Sequence, residues 1–444
     1  TKSPPWALRA LGWGPPKGGA RGPKTRRAKA PPPTPTAPVP LPMPTAQGGI
    51  AKVQPSPLRT NPQSSLSRSD GEGDRSRSKW WRGNVGVEKN RAVEYLTTMF
   101  GSNTVFVIGA GASAEADMPL GAALTGEIAK LLSFELEFGS HLKRGDPEVY
   151  QAIRRLVQHQ GWGDNQFIGS GRSVAEAMDL ALSIDTFLES HRNNREFVKL
   201  GKLGIVRAIS LAESRSLMRY EKNGYTPFRI STLSDTWYYS LARQLFTGVP
   251  ADKPDSAFDN VSFVVFNYDR CLQTFLIRAT ENYFRLSRPE AEALISRVRI
   301  VHPYGTIGSV FSGSENFIPF GSQEFDINPV SDRIRTFSEA CDQAAILQQW
   351  IFNAETVIFL GFGFHDQNVA LLDISQHLEP GNGVLRRVFA TTKGMSKSDA
   401  NVVINQISYA LRGEPEDPEN PREIWTNDGS CADLFSTYWR SLTL

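Results

Sequence analysis

From about residue 104 onward, short apolar runs rich in β-branched residues recur along the chain, each stopping abruptly at glycine or polar residues. They fall at 104–108, 261–266, 298–301, 356–360 and 387–391, and unbroken apolar runs of this length predict strands buried on both faces. Between them apolar residues return at three- and four-residue spacing, the mark of helices with one buried face. That spacing predicts helices over 91–100, 120–132, 148–158, 173–179, 184–191, 195–220 and 234–246, with another starting near residue 270. Residues 161–172 read as a loop, because Gly, Asp and Asn dominate them. Strands alternating with helices predict an α/β fold, a Rossmann-like doubly wound parallel sheet with a mostly helical insertion over about 135–246.

Ligands of such sheets bind beyond the carboxyl ends of the strands, so the residues that end each run carry the candidate chemistry. The first run drops into Gly109-Ala110-Gly111-Ala112-Ser113. Glycines there let the backbone turn sharply and approach a diphosphate, and a following helix presents its N–H groups to the same anion. Taken alone, this turn also fits an ordinary strand-to-helix connection. The second run ends at Asn267-Tyr268-Asp269-Arg270 and the third at His302-Pro303-Tyr304-Gly305. The fourth ends at Gly361-Phe362-Gly363-Phe364-His365, and the last opens into Thr392-Lys393-Gly394.

Composition divides the chain unevenly. Residues 1–82 hold 16 of the 29 prolines and 15 Lys or Arg against 3 Asp or Glu. Such a segment cannot bury enough apolar surface to offset its ordering entropy, so a disordered, basic, Pro-rich N-terminal tail is expected. The remainder carries 34 basic against 43 acidic residues. The overall pI of about 8.6 therefore describes the tail, and no specific nucleic-acid binding is expected. Cys271, Cys341 and Cys431 show no CxxC spacing, which argues against a structural zinc site or a disulfide framework and fits reduced thiols. No apolar run reaches the roughly 18 residues that span a bilayer, and no secretion leader is evident. The expectation is a cytoplasmic protein, without membrane association, folded over about 90–440.

Taken together, the strand-end residues resemble the SIR2-like domain family, the bacterial Sir2-like NAD hydrolases of antiphage defence type. The match rests on VFVIGAGASAEADMPLG (105–121), SIDTFL (183–188), FNYDRCL (266–272), VHPYGTIG (301–308) and FLGFGFHDQN (359–368). The resemblance implies that Gly109, Ala110, Gly111, Ala112 and Ser113 hold the NAD diphosphate and adjoining ribose. Asn267 would stand at the nicotinamide ribose, Asp269 would orient nearby loops or the nicotinamide-side hydrogen bonds, and His302 would be the base. Gly361, Phe362 and Gly363 would lie near the adenosine half. The implied reaction cleaves the nicotinamide–ribose bond of NAD, its substrate, with no metal, as in defence effectors that deplete NAD and commonly assemble as homo-oligomers. Asn267 and His302 would supply a polar amide and a base of near-neutral pKa to an oxocarbenium-like transition state.

Sirtuin deacetylases also carry a four-cysteine zinc module, which three scattered cysteines cannot build. Water is therefore favoured over acetyl-lysine as acceptor, with hydrolysis and cyclisation both open. Rival readings for the chain are a non-catalytic sensor of NAD or ADP-ribose, a protein deacylase, and a Rossmann oxidoreductase. The last expects an acidic residue ending a second strand about 20 residues past the glycines, where Glu127, Glu135 and Glu137 read as helix and its exit. Individual residues have plainer readings too. Asn267 also suits a helix cap, and Pro303 holds His302 extended as in a surface turn. Asp185 is either a helix-starting acid or a group reaching the nicotinamide end through the insertion. His365 and Asp366 either contact ribose or begin the next helix, and Trp237, Tyr238 and Tyr239 read as core aromatics.

Overall fold

The computed structural model describes residues 99–137, 141–160, 164–219, 229–337, 339, 341–378, 386–413 and 423–443. The expected tail, and all but the last two residues of the helix predicted over 91–100, lie outside the described residues. Among these there are eight strands: β1 (Thr104–Ile108), β2 (Glu135–Glu137), β3 (His141–Arg144), β4 (Val261–Val265), β5 (Ile300–Val301), β6 (Thr356–Leu360), β7 (Arg387–Thr391) and β8 (Ile424–Asn427). Six of them form one sheet in the order β5-β4-β1-β6-β7-β8, and every neighbouring pair in it is parallel. Numbered within the sheet, this is the 3-2-1-4-5-6 order of the Rossmann fold.

The five predicted strands all form, because each is apolar enough to be covered on both sides. Every residue of β1, β4 and β6 is buried, and Phe106 of β1 stacks on Phe263 of β4 with ring centroids 5.1 Å apart. The sixth strand, β8, was not predicted. Its four residues are only half-buried, so they lack the unbroken apolar run, and Trp425 alone anchors it by stacking on Phe389 at 4.8 Å. The direction of strand addition reverses between β1 and β6, which opens a crevice above their carboxyl ends.

Between β1 and β4 the chain builds the predicted insertion around a central helix, Arg195–Glu213, whose face from Leu200 to Glu213 is almost wholly buried. Gly201 and Gly204 lie where an added Cβ would come 2.5 Å from a Leu188 methyl and 2.9 Å from one of Ile128, so these glycines set the close approach of neighbouring helices. Two expectations need correction. Residues 164–172 of the expected loop are helical instead, within a helix over Asp164–Ala177, and the first three of that stretch lie outside the described residues. Phe167, Ile168, Gly171, Val174 and Ala175 form a buried stripe at helical spacing, and that stripe outweighs the poor helix propensity of the glycines. Nor is the insertion helical from residue 135, since β2 and β3 pair there as an antiparallel hairpin. The hairpin is largely exposed and bridged by Lys143 and Glu135 at 3.3 Å. Its alternation is too short to stand out from the charged residues around it.

The helix predicted over 195–220 ends at Glu213, where Ser216 turns away to donate its hydroxyl to the Ala116 carbonyl at 2.6 Å. None of the helices among the described residues is long and apolar enough to cross a membrane.

Candidate functional site at the carboxyl edge of the sheet

The glycine turn at the end of β1 is built against a second glycine turn at the end of β6. Gly109 donates its N–H to the Leu360 carbonyl, and Gly111 to the Gly361 carbonyl, both at 2.9 Å. A Cβ on Gly109 would meet the Gly361 oxygen at 2.5 Å, and one on Gly111 would meet the Gly361 Cα at 2.7 Å. Gly361 adopts φ +55°, and a Cβ there would fall 2.1 Å from the Ala112 nitrogen. The glycines are thus required first by backbone packed on backbone across the switch point. The helix that follows directly is one turn, Ala110–Ser113, continued as a 3₁₀ turn, Ala114–Ala116. The long helix, Gly121–Leu132, begins only after a left-handed break at Asp117.

Above these turns lies a cavity of about 650 Å³, within the size range of small-ligand sites. Its wall runs from Asn267 beyond β4, past Gly109, Ala110 and Gly111, then Gly361, Phe362 and Gly363, to Lys393 beyond β7 and Gly429 beyond β8. Five neighbouring strand ends span roughly 19 Å at the usual inter-strand spacing, which suits an extended ligand.

Asn267 is fixed by geometry that leaves its orientation unambiguous. Its Nδ2 donates to the Gly109 carbonyl and to Ser113 Oγ, both at 2.9 Å. A carbonyl can only accept, so the amide nitrogen must face the turn and Oδ1 is left without a hydrogen bond. Asn267 therefore ties β4 to the glycine turn and does not cap a helix; the helix after it, Cys271–Phe284, has Arg270 at its cap position.

Ala112, Ser113 and Asp269 stand behind the turn, away from the cavity wall. Ala112 is fully buried and its carbonyl accepts the Trp237 indole N–H at 2.9 Å. Asp269 is buried and accepts the Cys271 N–H at 3.0 Å, with burial raising its carboxyl above the usual range against the pull of hydrogen bonds from Cys271 and Ser113. These three build the cradle from underneath instead of touching what it holds.

His302 is also displaced from its expected place. It lines a second cavity of about 620 Å³, with Arg270, Gln273, Thr306, Asn316 and Arg333 among its neighbours. Its Nδ1 lies 3.0 Å from the Asn267 carbonyl, so Nδ1 carries the proton and Nε2 accepts from Gln273 Nε2 at 2.6 Å. Burial pushes the imidazole down to about 4, only partly offset by the Asn267 carbonyl. At neutral pH His302 is uncharged with both nitrogens engaged.

Several wall residues were not assigned from sequence. Glu115 spends both carboxylate oxygens on helix starts, accepting the Trp237 N–H at 2.7 Å and the Ala432 N–H at 3.0 Å. Burial raises its carboxyl, while those hydrogen bonds and Lys393 pull it back. Phe266, Tyr304 and Phe337 form an aromatic side wall with Phe362, which the sequence had already assigned; Phe266 lies 5.0 Å from Phe362 and Tyr304 5.3 Å from Phe337. The Tyr304 hydroxyl donates to Asn368 Oδ1 at 2.6 Å. Lys393 is exposed at the opposite end, with no ion pair among the described residues, and presents a compact cation suited to a phosphate. His365 lines the cavity as well, whereas Asp366 begins the helix Asp366–Leu372 and accepts from Gln406 at 2.9 Å. That Lys393, Phe266, Tyr304 and Phe337 share one wall could not be read from strand-end motifs, because only the closed tertiary wall brings them together. Trp237 and Tyr238 are core residues under the turn, as expected.

Among the described residues no group of three His, Cys, Asp or Glu is arranged to hold a metal ion. Scanned against protein-family models the sequence finds no match, and a search of curated proteins finds none either.

Proposed function

We propose that the chain is an NAD glycohydrolase of SIR2-like type, cleaving the nicotinamide–ribose bond to release nicotinamide and ADP-ribose, and acting as an effector that depletes NAD. The observation that carries this reading is the double hydrogen bond from Asn267 Nδ2 to Gly109 and Ser113. It joins two of the five motifs on which the resemblance rests into one unit on the wall of an elongated cleft at the sheet's switch point. A nucleotide laid across such a crevice places its diphosphate over the glycine turn and its two nucleosides on either side. On this reading the ribose to be cleaved lies toward Asn267, Tyr304 and Phe337, and the adenosine half toward Gly361–Gly363 and Lys393. Asn267 Oδ1 then offers a fixed acceptor to a ribose hydroxyl or to water, and fixed orientation is a main source of rate where the transition state has oxocarbenium character.

The experiment is direct. The full chain is incubated with NAD, and nicotinamide and ADP-ribose are followed beside Asn267→Ala. Stoichiometric release by the parent and its loss in the variant support the reading; NAD binding without cleavage replaces it with a sensor. One observation favours that second reading: the expected base, His302, lies outside this cleft with Nε2 already bonded to Gln273. A sensor of NAD or ADP-ribose needs the cleft and no base. The oxidoreductase reading gains little, because Glu135 and Glu137 lie on the separate hairpin and β4, the strand beside β1, runs into Phe266 and Asn267.

A further inference from the structure

With His302 in the other cavity, the cleft holds two carboxylates, Glu115 and Asp185. Glu115 has both oxygens committed to backbone N–H groups. Asp185 meets only its own backbone N–H and anchors no other segment that way. It sits in the first turn of the helix Ile184–Ser190, but that helix is capped by Ser183 and Thr186, which exchange hydrogen bonds in a complete capping box. The carboxyl of Asp185 instead accepts the hydroxyl of Tyr268, the residue between Asn267 and Asp269. The three-residue segment that pins Asn267 to the glycine turn thus also holds Asp185 on the cavity wall.

We propose that Asp185 is a catalytic carboxylate of this cleft, taking a proton from the water that attacks the anomeric carbon of the nicotinamide ribose; this rests on the NAD-cleaving reading. The water oxygen bonds to that carbon while the carbon–nitrogen bond breaks. Its electron pair goes to the ring nitrogen, so the pyridinium leaves as neutral nicotinamide. The water proton passes to the Asp185 carboxylate and then to solvent, with no change of oxidation state. The surroundings make the carboxylate a stronger base than a solvent-exposed one. Burial raises the Asp185 carboxyl, opposed by the Tyr268 hydroxyl and by His365 across the cavity. The groups facing it are Tyr268 from the loop after β4, Tyr304 from the loop after β5 and His365 from the turn after β6. Glu339 lies behind Tyr268, and on the same helix Glu189 is paired with Arg192.

The test uses the full chain with NAD, comparing the parent with Asp185→Asn and Tyr268→Phe. Asp185→Asn keeps an acceptor for the Tyr268 hydroxyl and is expected to lower kcat about 100-fold or more while KM for NAD stays within about threefold. In Tyr268→Phe the carboxyl remains but loses the hydrogen bond that favours its ionised form. The acidic limb of its kcat profile is expected to move to higher pH. A kcat within about threefold of the parent in Asp185→Asn, or a rise in KM alone, overturns the proposal. Should that variant melt early, the Tyr268→Phe profile decides: a limb that does not move overturns it. A parent that releases no nicotinamide sinks the NAD-cleaving reading and this proposal together, whereas a cleaving parent with an active Asp185→Asn sinks only the proposal.

Discussion

Asn267 and His302 follow neighbouring strands and are hydrogen-bonded to each other, yet their side chains serve different cavities. Asn267 turns its amide onto the glycine turn and lines the long cleft over β1 and β6. His302 turns its ring toward the helix Cys271–Phe284, meets Gln273, and lines the neighbouring cavity beyond β5. They are joined by the imidazole N–H on the Asn267 carbonyl, 3.0 Å away. Residues that end adjacent strands share an edge, but which cavity each side chain enters depends on the helix that follows its own strand. His302 holds the Asn267 backbone, while the Asn267 side chain lines the cleft; on the proposed reading the histidine acts through the asparagine.

The largest effect that separates the two comes from comparing Asn267→Ala with His302→Ala in one NAD-cleavage assay. Removing Asn267 takes away a fixed polar group at the reacting ribose and loosens the glycine turn, so kcat is expected to fall by roughly 10³-fold. Removing His302 costs a positioning contact one step away, with an expected loss of about tenfold. A base in contact with the reaction would be worth about 10²–10⁴-fold. Equal, large losses in both variants would collapse the distinction between the cavities.

A smaller effect appears in stability at acid pH. His302 is held neutral, its folded pKa lowered from 6.5 to about 4. Between those values the unfolded chain binds the proton and the folded chain does not. The stabilisation is therefore present above about pH 6.5 and is lost as pH falls toward 4. Between pH 7 and 5 this amounts to at most about 2 kcal/mol. Urea unfolding at the two pH values is expected to show the parent losing more stability than His302→Gln. Identical losses would mean that the ring is charged or open to solvent in the folded protein, and with that the argument for a neutral, doubly bonded imidazole fails.

How much of this was legible in the sequence follows the same division. The four central strands were readable because each had to be apolar on both faces, and the glycine turns because the Gly361 contacts leave no room for a Cβ. Asn267 was readable as a strand-end polar residue, though its partners were not. The hairpin β2–β3, the edge strand β8 and the helix Asp164–Ala177 escaped because short, half-exposed or glycine-bearing segments carry weak periodicity, and tertiary burial decides them. The fate of Ala112, Ser113 and Asp269 escaped for another reason. A motif tells which residues a turn contains, not which of them face inward. Glu115, Asp185 and Lys393 come from three distant stretches of the chain, and only the closed fold puts them on one wall.

The smallest expected effect is also the sharpest on what His302 does. Gln273 donates to His302 Nε2, the nitrogen a base would need free, and its own Oε1 is buried without a partner. If His302 only holds the Asn267 carbonyl through Nδ1, then Gln273→Leu removes an unsatisfied polar group and leaves that contact in place. Turnover is expected to stay within about threefold, and stability to change by no more than about 1 kcal/mol, since the unsatisfied Oε1 is removed while Nε2 loses its donor. If His302 is instead a base kept in reserve, the same substitution uncovers Nε2, and turnover should climb by tenfold or more with a new limb in the pH profile near the histidine's own titration. The two accounts thus predict different signs for one side chain, and a kcat profile of Gln273→Leu beside the parent separates them even if every loss-of-function variant behaves as either account allows.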